Sequence, residues 1–330
     1  MRIGIIGAGA IGGTIAALME RAGHAVEATA RGDRLAAIQN GGLRLTGAWG
    51  SHLAQVPVGE RLMGPPDLAL LCVKAQDEEE ALHVNASSLQ GVPLVVVQNG
   101  LDGAERASRL HPGAPTIGAI AFFSADCPTP GAVRVLVPGP LYFGEGQGAP
   151  RQEAVDAASL LNQGIPAQAV RNFAGHQWTK LVVNQINAMP AITGLSVQTT
   201  LADPALRRIV LESIREAIAV GRAQGVEFGA LDGMPPSLLG VLGSAPRPVG
   251  SVLLRIMGRR LGREAVLGST LQSVQRGLPT EIDYLNGALV ARAREVGLEA
   301  PVNEGLVKLV HEVEHSHRYY APGQVAARMG

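Results

Sequence analysis

Cysteine is nearly absent from this chain of 330 residues, which contains only Cys72 and Cys127. The two stand alone and match neither a metal-binding nor a redox spacing. A reducing compartment, by default the cytoplasm, is therefore expected. Aromatic residues are also few, at 3% of the chain, but apolar residues reach 46%, which is typical of an ordinary globular protein.

The chain also lacks an excess of either charge. Its 28 Lys and Arg balance 28 Asp and Glu, which argues against a nucleic-acid-binding protein. No apolar run approaches the ~20 residues of a membrane span, so no membrane partner is expected. The apolar N-terminal stretch fits a strand and turn better than a signal peptide because of its glycine spacing. The length predicts about two domains.

The chain is organised around its N-terminal stretch, from Met1 to His24. A short apolar strand leads into the spacing G-x-G-x-x-G, and a helix pattern follows. Here the first glycine allows a tight turn, the second lets backbone approach a pyrophosphate, and the third lets helix and strand pack closely. The pattern therefore predicts a site for a dinucleotide, formed by Gly7, Ala8, Gly9, Ala10, Ile11 and Gly12. The alternative is a glycine-rich turn without a ligand.

The end of the second predicted strand, Ala25 to Ala30, bears on the choice of coenzyme. NAD-binding proteins commonly place an acidic residue there, which holds the ribose 2′-OH. This chain has Arg31 instead, with Arg34 nearby. An arginine suits a 2′-phosphate, so NADPH is the predicted cofactor. The alternative is an ordinary surface arginine at the start of a loop.

Further strand patterns continue to about residue 170 and predict a doubly wound, Rossmann-type α/β domain. Lys74 and Asn99 each follow a buried strand, at the sheet edge where such folds bind ligands. Either could be a mere turn residue. Beyond Arg171 only helix patterns remain. We therefore expect a Rossmann-type domain over residues 1–170 and an all-helical substrate domain over residues 171–330.

A polar stripe marks the first long helix predicted in the second domain, His176 to Ile192. Lys180, Asn184 and Asn187 fall on one side of it, opposite the apolar face. A solvated helix face usually carries Glu, Lys, Arg or Gln, and asparagine is a poor helix former. The stripe therefore favours the wall of a polar cleft over a solvated face. Pro190 predicts a kink or local distortion in this helix.

Several segments, in order along the chain, resemble the ketopantoate reductases (2-dehydropantoate 2-reductases). They include Lys180-Leu181-Val182-Val183-Asn184, and the most specific is the stretch Thr280-Glu281-Ile282-Asp283 with the upstream Ser269. Arg31, Lys74 and the turn Gln98-Asn99-Gly100-Leu101 are similar to that family as well. The resemblance covers nearly the whole chain. It implies NADPH-dependent reduction of 2-dehydropantoate to pantoate, a step of pantothenate biosynthesis.

The resemblance implies roles residue by residue. Lys180 and Glu281 would be catalytic, with Lys180 as the general acid and Glu281 positioning the reacting groups. Lys74 and Asn99 would line the site of cofactor and substrate, and Arg31 would hold the 2′-phosphate. The implied substrate-binding residues are Asn99, Lys180, Asn184, Asn187 and Ser269. For Glu281, an acidic residue in a first helical turn is the alternative interpretation.

Two departures from the family concern the substrate. The family commonly has a second asparagine eight residues after the lysine, where this chain has Ala188, with Asn187 one position earlier. Three residues before the serine the family often has asparagine, and this chain has Val266. A reductase of another small 2-oxo acid therefore stays open, as does a non-catalytic dinucleotide sensor. The oligomeric state, including a homodimer, also stays open.

Two further segments fall outside this scheme. His311-Glu312-Val313-Glu314-His315 matches the zinc motif H-E-x-x-H. A zinc protease also needs a third ligand and a cleft, so a solvated histidine-rich helix end is favoured and no metal is predicted. The stretch from Ala245 to Arg263 combines apolar and basic residues and predicts a short amphipathic surface helix.

Overall fold

The computed structural model describes residues 1–262 and 264–329. The chain divides into two compact units, Met1–Ala174 and Gly175–Gly330, close to the division expected between residues 170 and 171. The first unit is a doubly wound α/β domain and the second is built of helices. The predicted fold class is thereby confirmed.

The strands of the described residues all lie in the first unit and form two sheets. In chain order they are β1 (Arg2–Ile6), β2 (Ala25–Thr29), β3 (Leu43–Gly47), β4 (His52–Ala54), β5 (Val58–Gly59), β6 (Leu68–Leu71), β7 (Leu94–Val97), β8 (Thr116–Ala121), β9 (Ser124–Asp126), β10 (Ala132–Val137), β11 (Leu141–Gly144) and β12 (Ala167–Ala169). Among the described residues of the second unit, β pairing is limited to an isolated bridge between Leu231 and Met234.

The larger sheet has the order β12-β11-β8-β7-β6-β1-β2-β5. Its central pairs are parallel, for example Ile5 opposite Ala28 on one side and opposite Leu70 on the other. From β1 the chain runs outward through β2, then crosses back to β6, so the strand order reverses between β1 and β6. In such folds ligands bind beyond the carboxyl ends of the strands at this point. Gly7 follows β1 there, and Lys74 follows β6.

The helices of the first unit are α1 (Ala10–Arg21), α2 (Gly32–Gly41), α3 (Glu78–Leu89), α4 (Gly103–Leu110) and α5 (Gln152–Leu161). Those that follow are α6 (Phe173–Asn184), α7 (Ala188–Thr193), α8 (Val197–Ala202), α9 (Pro204–Ala223), α10 (Pro236–Ser244), α11 (Arg247–Arg260), α12 (Ser269–Gln275), α13 (Asn286–Glu295), α14 (Pro301–Ser316) and α15 (Pro322–Met329). Short 3₁₀ helices cover Ala75–Asp77, Gln185–Asn187 and Ile282–Tyr284.

Helix α1 is buried between the two sheets of the first unit. Every residue from Gly12 to Met19 is buried, and the helix packs against strands of both sheets. Two adjacent glycines make this possible. A Cβ on Gly12 would lie 2.2 Å from the Gly7 carbonyl oxygen, and a Cβ on Gly13 would lie 2.9 Å from Val133 Cγ1 of β10. A helix buried on all sides must present small residues where backbones approach most closely.

The second unit is assembled around α9, its longest helix. Asp203 caps this helix by accepting hydrogen bonds from Ala205 N at 2.8 Å and Leu206 N at 3.0 Å, and Pro204 occupies the first turn. Such a cap and a proline at the first position are favourable at a helix N-terminus. Helices α8, α10, α11, α13, α14 and α15 pack against α9.

A buried network of amides joins α9 to its neighbours. Ser213 Oγ donates to Asn303 Oδ1 at 2.8 Å, and Asn303 Nδ2 donates to Glu216 Oε2 at 2.6 Å. Asn286 Nδ2 donates at 2.8 Å both to Asn303 Oδ1 and to Gln185 Oε1. These groups would be costly to bury unpaired, so the network fixes the register of α9, α13 and α14.

One predicted element needs correction, and several elements are absent from the prediction. The helix predicted from His176 to Ile192 is not continuous, because α6 ends at Asn184 and a 3₁₀ turn separates it from α7. The sequence patterns predict neither strands β5 and β9, nor the pairing of a second sheet, nor helices α3 and α4. The sheet pairing depends on contacts distant in sequence, such as Leu45 opposite Val133.

The stretch predicted as an amphipathic surface helix contains α11. Leu254 is fully buried on one side of α11, whereas Val249, Val252 and Ile256 are exposed. The prediction is confirmed over Arg247–Arg260, and Arg263 lies outside the described residues. In the part of the chain that the structure describes, no helix has both the length and the apolar character needed to cross a bilayer.

The packing of α1 generates a prediction about stability. Gly12→Ala should lower the free energy of unfolding by about 2 kcal/mol, because the new methyl group collides with backbone that cannot yield. Gly9→Ala is the matched control. A Cβ there meets nothing nearer than Arg34 Nη1 at 3.9 Å, so its stability should change by less than about 0.5 kcal/mol. Urea unfolding followed by circular dichroism measures both, and a Gly12→Ala protein as stable as wild type would contradict this packing.

Candidate active site

The glycine loop after β1 is held by the end of β2. Gly7 has φ +99°, a backbone conformation that favours glycine. Its N–H donates to Thr29 Oγ1 at 2.9 Å, and Ala8 N donates to the Thr29 carbonyl oxygen at 2.7 Å. Thr29 was not expected from sequence, although a hydroxyl residue ending the second strand is a usable signal. The loop is thus tied to its neighbouring strand before α1 begins.

The three glycines differ in what surrounds them. A Cβ on Gly7 would lie 2.7 Å from Val73 Cγ1, and a Cβ on Gly12 would lie 2.7 Å from Cys72 Cβ, so side chains at both positions would collide. Gly9 has open space instead, and it is the residue that precedes α1. Backbone N–H groups at the start of a helix attract phosphate, and an uncovered glycine lets a ligand approach them. Ala10 and Ile11 form the first turn of α1.

Arg31 lies immediately before α2 and forms an ion pair. Its Nη1 is 3.0 Å from Glu80 Oε2, with both side chains more than half exposed. The hydrogen bond that Arg31 donates to Glu80 raises the pKa of the Arg31 guanidinium above its usual value. An exposed pair of this kind is weak, so an anion of higher charge can displace Glu80. The half-buried Arg34 lies near Gly9, as the 3.9 Å separation of Nη1 from a Cβ placed there indicates.

Lys74 and Asn99 lie beyond the ends of two adjacent strands, β6 and β7, as expected. Both are half-buried. Gln98 Nε2 donates to the Val73 carbonyl oxygen at 3.2 Å, which ties the two loops together. The turn at Gly100 has φ +91°. The structure therefore brings Gly7, Lys74 and Asn99 to the same edge of the sheet.

In the second unit, the 3₁₀ turn after α6 aligns the polar stripe. Side chains three residues apart eclipse one another in a 3₁₀ helix. Asn187 Nδ2 accordingly donates to Asn184 Oδ1, at 3.4 Å. Asn184 is only 5% exposed, so this face is not a solvated one. Ala188 is 1% exposed and belongs to the core. The extra tightness of the 3₁₀ turn thus puts Asn187, rather than residue 188, above Asn184.

Lys180 lies one helical turn before Asn184 on the same side of α6. Part of its surface is exposed, yet burial lowers the pKa of its ammonium to about 8. Such a group is charged at neutral pH but releases a proton far more readily than an ordinary lysine. Gln185, which sequence did not single out, anchors this region because its Nε2 donates to the Leu181 carbonyl oxygen at 2.9 Å. A polar residue on the apolar side of the predicted helix is the signal for it.

Ser269 begins α12, next to the polar stripe. Gly268 precedes it with φ +72°, and a Cβ on Gly268 would lie 2.8 Å from Asn187 Oδ1. Ser269 is exposed, whereas Val266 is half-buried. The Val266 N–H donates to Gln198 Oε1 at 3.0 Å, and the Val266 carbonyl oxygen accepts from Val197 N at 2.8 Å. Lys180, Asn184, Asn187 and Ser269 thus belong to one region of the second unit.

Glu281 lies in irregular backbone before the 3₁₀ helix Ile282–Tyr284 and is half-buried. It is therefore not in the first turn of an α-helix, which corrects the alternative interpretation. The H-E-x-x-H segment lies in α14 near it. His311 contacts Asp283 and Glu314, and His315 Nδ1 bonds to the His311 carbonyl oxygen. Over residues 1–262 and 264–329, no group of three or more His, Cys, Asp or Glu side chains is arranged so that it could hold a metal ion.

Comparison with known proteins identifies the family. The family model "Ketopantoate reductase PanE/ApbA" matches residues 3–148, and its C-terminal counterpart matches residues 172–314. A 2-dehydropantoate 2-reductase from Archaeoglobus fulgidus is 29% identical over 315 residues, covering 95% of this chain and 98% of the relative.

Solved structures share the fold. The crystal structure of a PanE/ApbA family ketopantoate reductase from Ralstonia eutropha JMP134 has a TM-score of 0.81 at 27% identity, covering 96% of this chain and 99% of that one. D-mandelate dehydrogenase, solved with NADH and anilino(oxo)acetate, has a TM-score of 0.78 at 20% identity, covering 96% and 99%. Since two family models together span most of the sequence, this chain belongs to the ketopantoate reductase family of oxidoreductases.

Proposed function

We propose that this protein is an NADPH-dependent reductase of a small 2-oxo acid, and that its substrate is 2-dehydropantoate, which it converts to pantoate for pantothenate biosynthesis. One observation carries the proposal. Lys180, with a pKa lowered to about 8 by burial, lies on the same helix face as two aligned asparagines. This combination suits the protonation and orientation of an oxo acid.

The residues after β1 fit a dinucleotide. Gly9 leaves open space at the start of α1, and Gly7 and Gly12 close the backbone around it. Gly7, Ala8, Gly9, Ala10, Ile11 and Gly12 would hold the pyrophosphate, with Lys74 and Asn99 along the same sheet edge. When bound, the reduced nicotinamide supplies hydride to the carbonyl carbon.

The coenzyme is proposed to be NADPH because of Arg31. D-mandelate dehydrogenase was solved with NADH, so this fold by itself does not require a 2′-phosphate. Selection must come from the residue that follows β2, where a 2′-phosphate would take the place of Glu80 on the Arg31 guanidinium. An arginine binds phosphate through two parallel hydrogen bonds, which a ribose hydroxyl cannot offer.

The second unit's residues then act on the oxo acid. Lys180 donates a proton from Nζ to the carbonyl oxygen as negative charge develops there. Asn184, Asn187 and Ser269 bind the substrate by hydrogen bonds, and Asn99 and Lys180 contribute to that binding. Glu281 helps to orient the reacting groups. Holding the substrate in a reactive orientation removes much of the entropic barrier.

The direct test is NADPH oxidation against a panel of 2-oxo acids. We expect turnover with 2-dehydropantoate. NADPH binding without oxidation by any member of the panel would instead support a non-catalytic sensor. If the enzyme turned over only a different oxo acid, the proposed reaction class would stand, but 2-dehydropantoate would be rejected as the substrate. A homodimer stays a prediction that light scattering on the same preparation would test.

Coenzyme selection should depend on Arg31 and respond to its partner. Arg31→Ala should abolish the preference for NADPH. Glu80→Gln should raise NADPH affinity by up to about 5-fold, because it removes a competitor for the guanidinium, and leave NADH affinity unchanged. Arg34→Ala is the control, since a cation beside Gly9 should affect both coenzymes equally. Fluorescence titration of both coenzymes measures this, and equal wild-type affinities would refute it.

Turnover should depend on protonated Lys180. Lys180→Ala should lower kcat by about 10²–10⁴-fold with little change in NADPH affinity. Because the acid must be protonated, wild-type kcat should fall as the pH rises through about 8. Lys74→Ala should weaken ligand binding more than the chemical step. Steady-state kinetics across pH with direct NADPH titration tests all three. Turnover of Lys180→Ala within a few-fold of wild type would exclude Lys180 as the acid.

Substrate discrimination should be weak where Val266 replaces a polar residue. Wild type should distinguish 2-dehydropantoate from 2-oxoisovalerate, which lacks the hydroxyl, much less than ~10⁴-fold. Val266→Asn should sharpen that preference. Ala188→Asn should destabilise the protein instead, because residue 188 is buried. The ratio of kcat/KM values decides, and a wild-type ratio near ~10⁴ would show that other groups read the hydroxyl.

A further inference from the structure

The segment around Glu281 has little regular structure of its own. Only a three-residue 3₁₀ helix follows Glu281, and Thr280 Oγ1 accepts a hydrogen bond from Ile282 N at 3.2 Å. The turn makes two backbone hydrogen bonds of its own, from Tyr284 N to the Glu281 carbonyl oxygen at 3.0 Å and from Leu285 N to the Ile282 carbonyl oxygen at 3.3 Å. The contacts that Thr280 and Asp283 make with other elements add to how firmly the backbone at Glu281 is held.

Glu314 of α14 holds the residue before Glu281. Its Oε1 accepts a hydrogen bond from Thr280 N at 2.8 Å, and Thr280 is 7% exposed. Burial alone would raise the pKa of the Glu314 carboxyl, but hydrogen bonds from Thr280 and His311 outweigh it and keep that pKa below its usual value. The bond to the Thr280 amide is therefore charge-assisted and strong.

His311, one turn earlier on α14, joins Glu314 to the residue two positions after Glu281. Its Nδ1 lies 2.7 Å from Glu314 Oε2, and its Nε2 lies 3.0 Å from Asp283 Oδ1. Carboxylates only accept hydrogen bonds, so both ring nitrogens must carry a proton. Burial lowers the pKa of His311, but hydrogen bonds to Asp283 and Glu314 more than reverse this, so the pKa is raised.

We propose that His311 and Glu314 are positioning residues that clamp the chain on both sides of Glu281. Thr280 is fixed by Glu314 and Asp283 by His311, and the two clamping side chains are bonded to each other. The backbone that carries the Glu281 carboxylate is thereby held in one conformation. This inference rests on the role proposed above for Glu281.

The clamp also gives a function to part of the H-E-x-x-H segment. The other two polar residues of that motif have separate contacts. Glu312 pairs with Tyr320 and Arg328, and His315 bonds within its own helix. The clamp therefore uses the first histidine and the glutamate three residues on, rather than the two histidines that a zinc site would need.

The test compares His311→Gln with His315→Gln. The His311 side chain is 39% exposed, so glutamine is tolerated there, but it is uncharged and cannot serve both carboxylates. We expect His311→Gln to lower kcat about 10-fold at unchanged KM for NADPH, because the reacting groups lose their alignment. Hydrogen exchange over Thr280–Asp283 should become faster. His315→Gln should change neither by more than about 2-fold.

A double-mutant cycle separates positioning from simple structural support. If His311 acts through Glu281, adding His311→Gln to the Glu281→Gln variant should lower kcat by less than about another 2-fold. A change of that size is within the error with which the effects of independent substitutions add. A full additional 10-fold loss would overturn the inference, as would an exchange rate or kcat unchanged in His311→Gln. Failure of this inference can be told apart from failure of the proposed function. If the wild-type protein does not oxidise NADPH, the proposed function itself is refuted.

Discussion

The close approach of two backbones determines the architecture of the first unit. The Gly7 carbonyl oxygen lies where a side chain on residue 12 would have to be, at 2.2 Å from its Cβ position. Helix α1 can therefore sit directly on β1, and it is buried against a second sheet on its other side through Gly13. The same approach leaves Gly9 and the first N–H groups of α1 at the open edge of the sheet. Helix packing and the proposed phosphate binding thus depend on one short run of small residues.

In the second unit the comparable constraint is the 3₁₀ turn Gln185–Asn187. It brings Asn187 above Asn184 and turns residue 188 into the core. Gln185 anchors the turn, since its side chain bonds both to α6 and to Asn286 of the buried amide network. The polar stripe is therefore held by interactions on the opposite side of its own helix.

Features that depend on residues close together in the chain could be predicted from the sequence, and features that depend on distant contacts could not. The glycine loop and the placement of Lys74 and Asn99 depend on neighbouring residues, and strand and helix patterns reveal them. Pro190 signalled a distortion, but its form, a 3₁₀ turn that selects Asn187 over residue 188, depends on packing against α9 and α12. The second sheet depends on pairing between β3 and β10, which no local pattern encodes. The ion pair of Arg31 with Glu80 and the His311 contacts likewise join residues far apart in the chain.

In the proposed reaction an oxo acid accepts hydride from a nicotinamide while Lys180 supplies the proton. The most direct measurement uses NADPH that carries deuterium at both C4 positions and follows the label into the product by mass spectrometry. We predict deuterium at C2 of pantoate with wild type, and labelled product formed about 10²–10⁴-fold more slowly with Lys180→Ala. Unlabelled product, or labelled product formed equally fast by Lys180→Ala, would contradict the account.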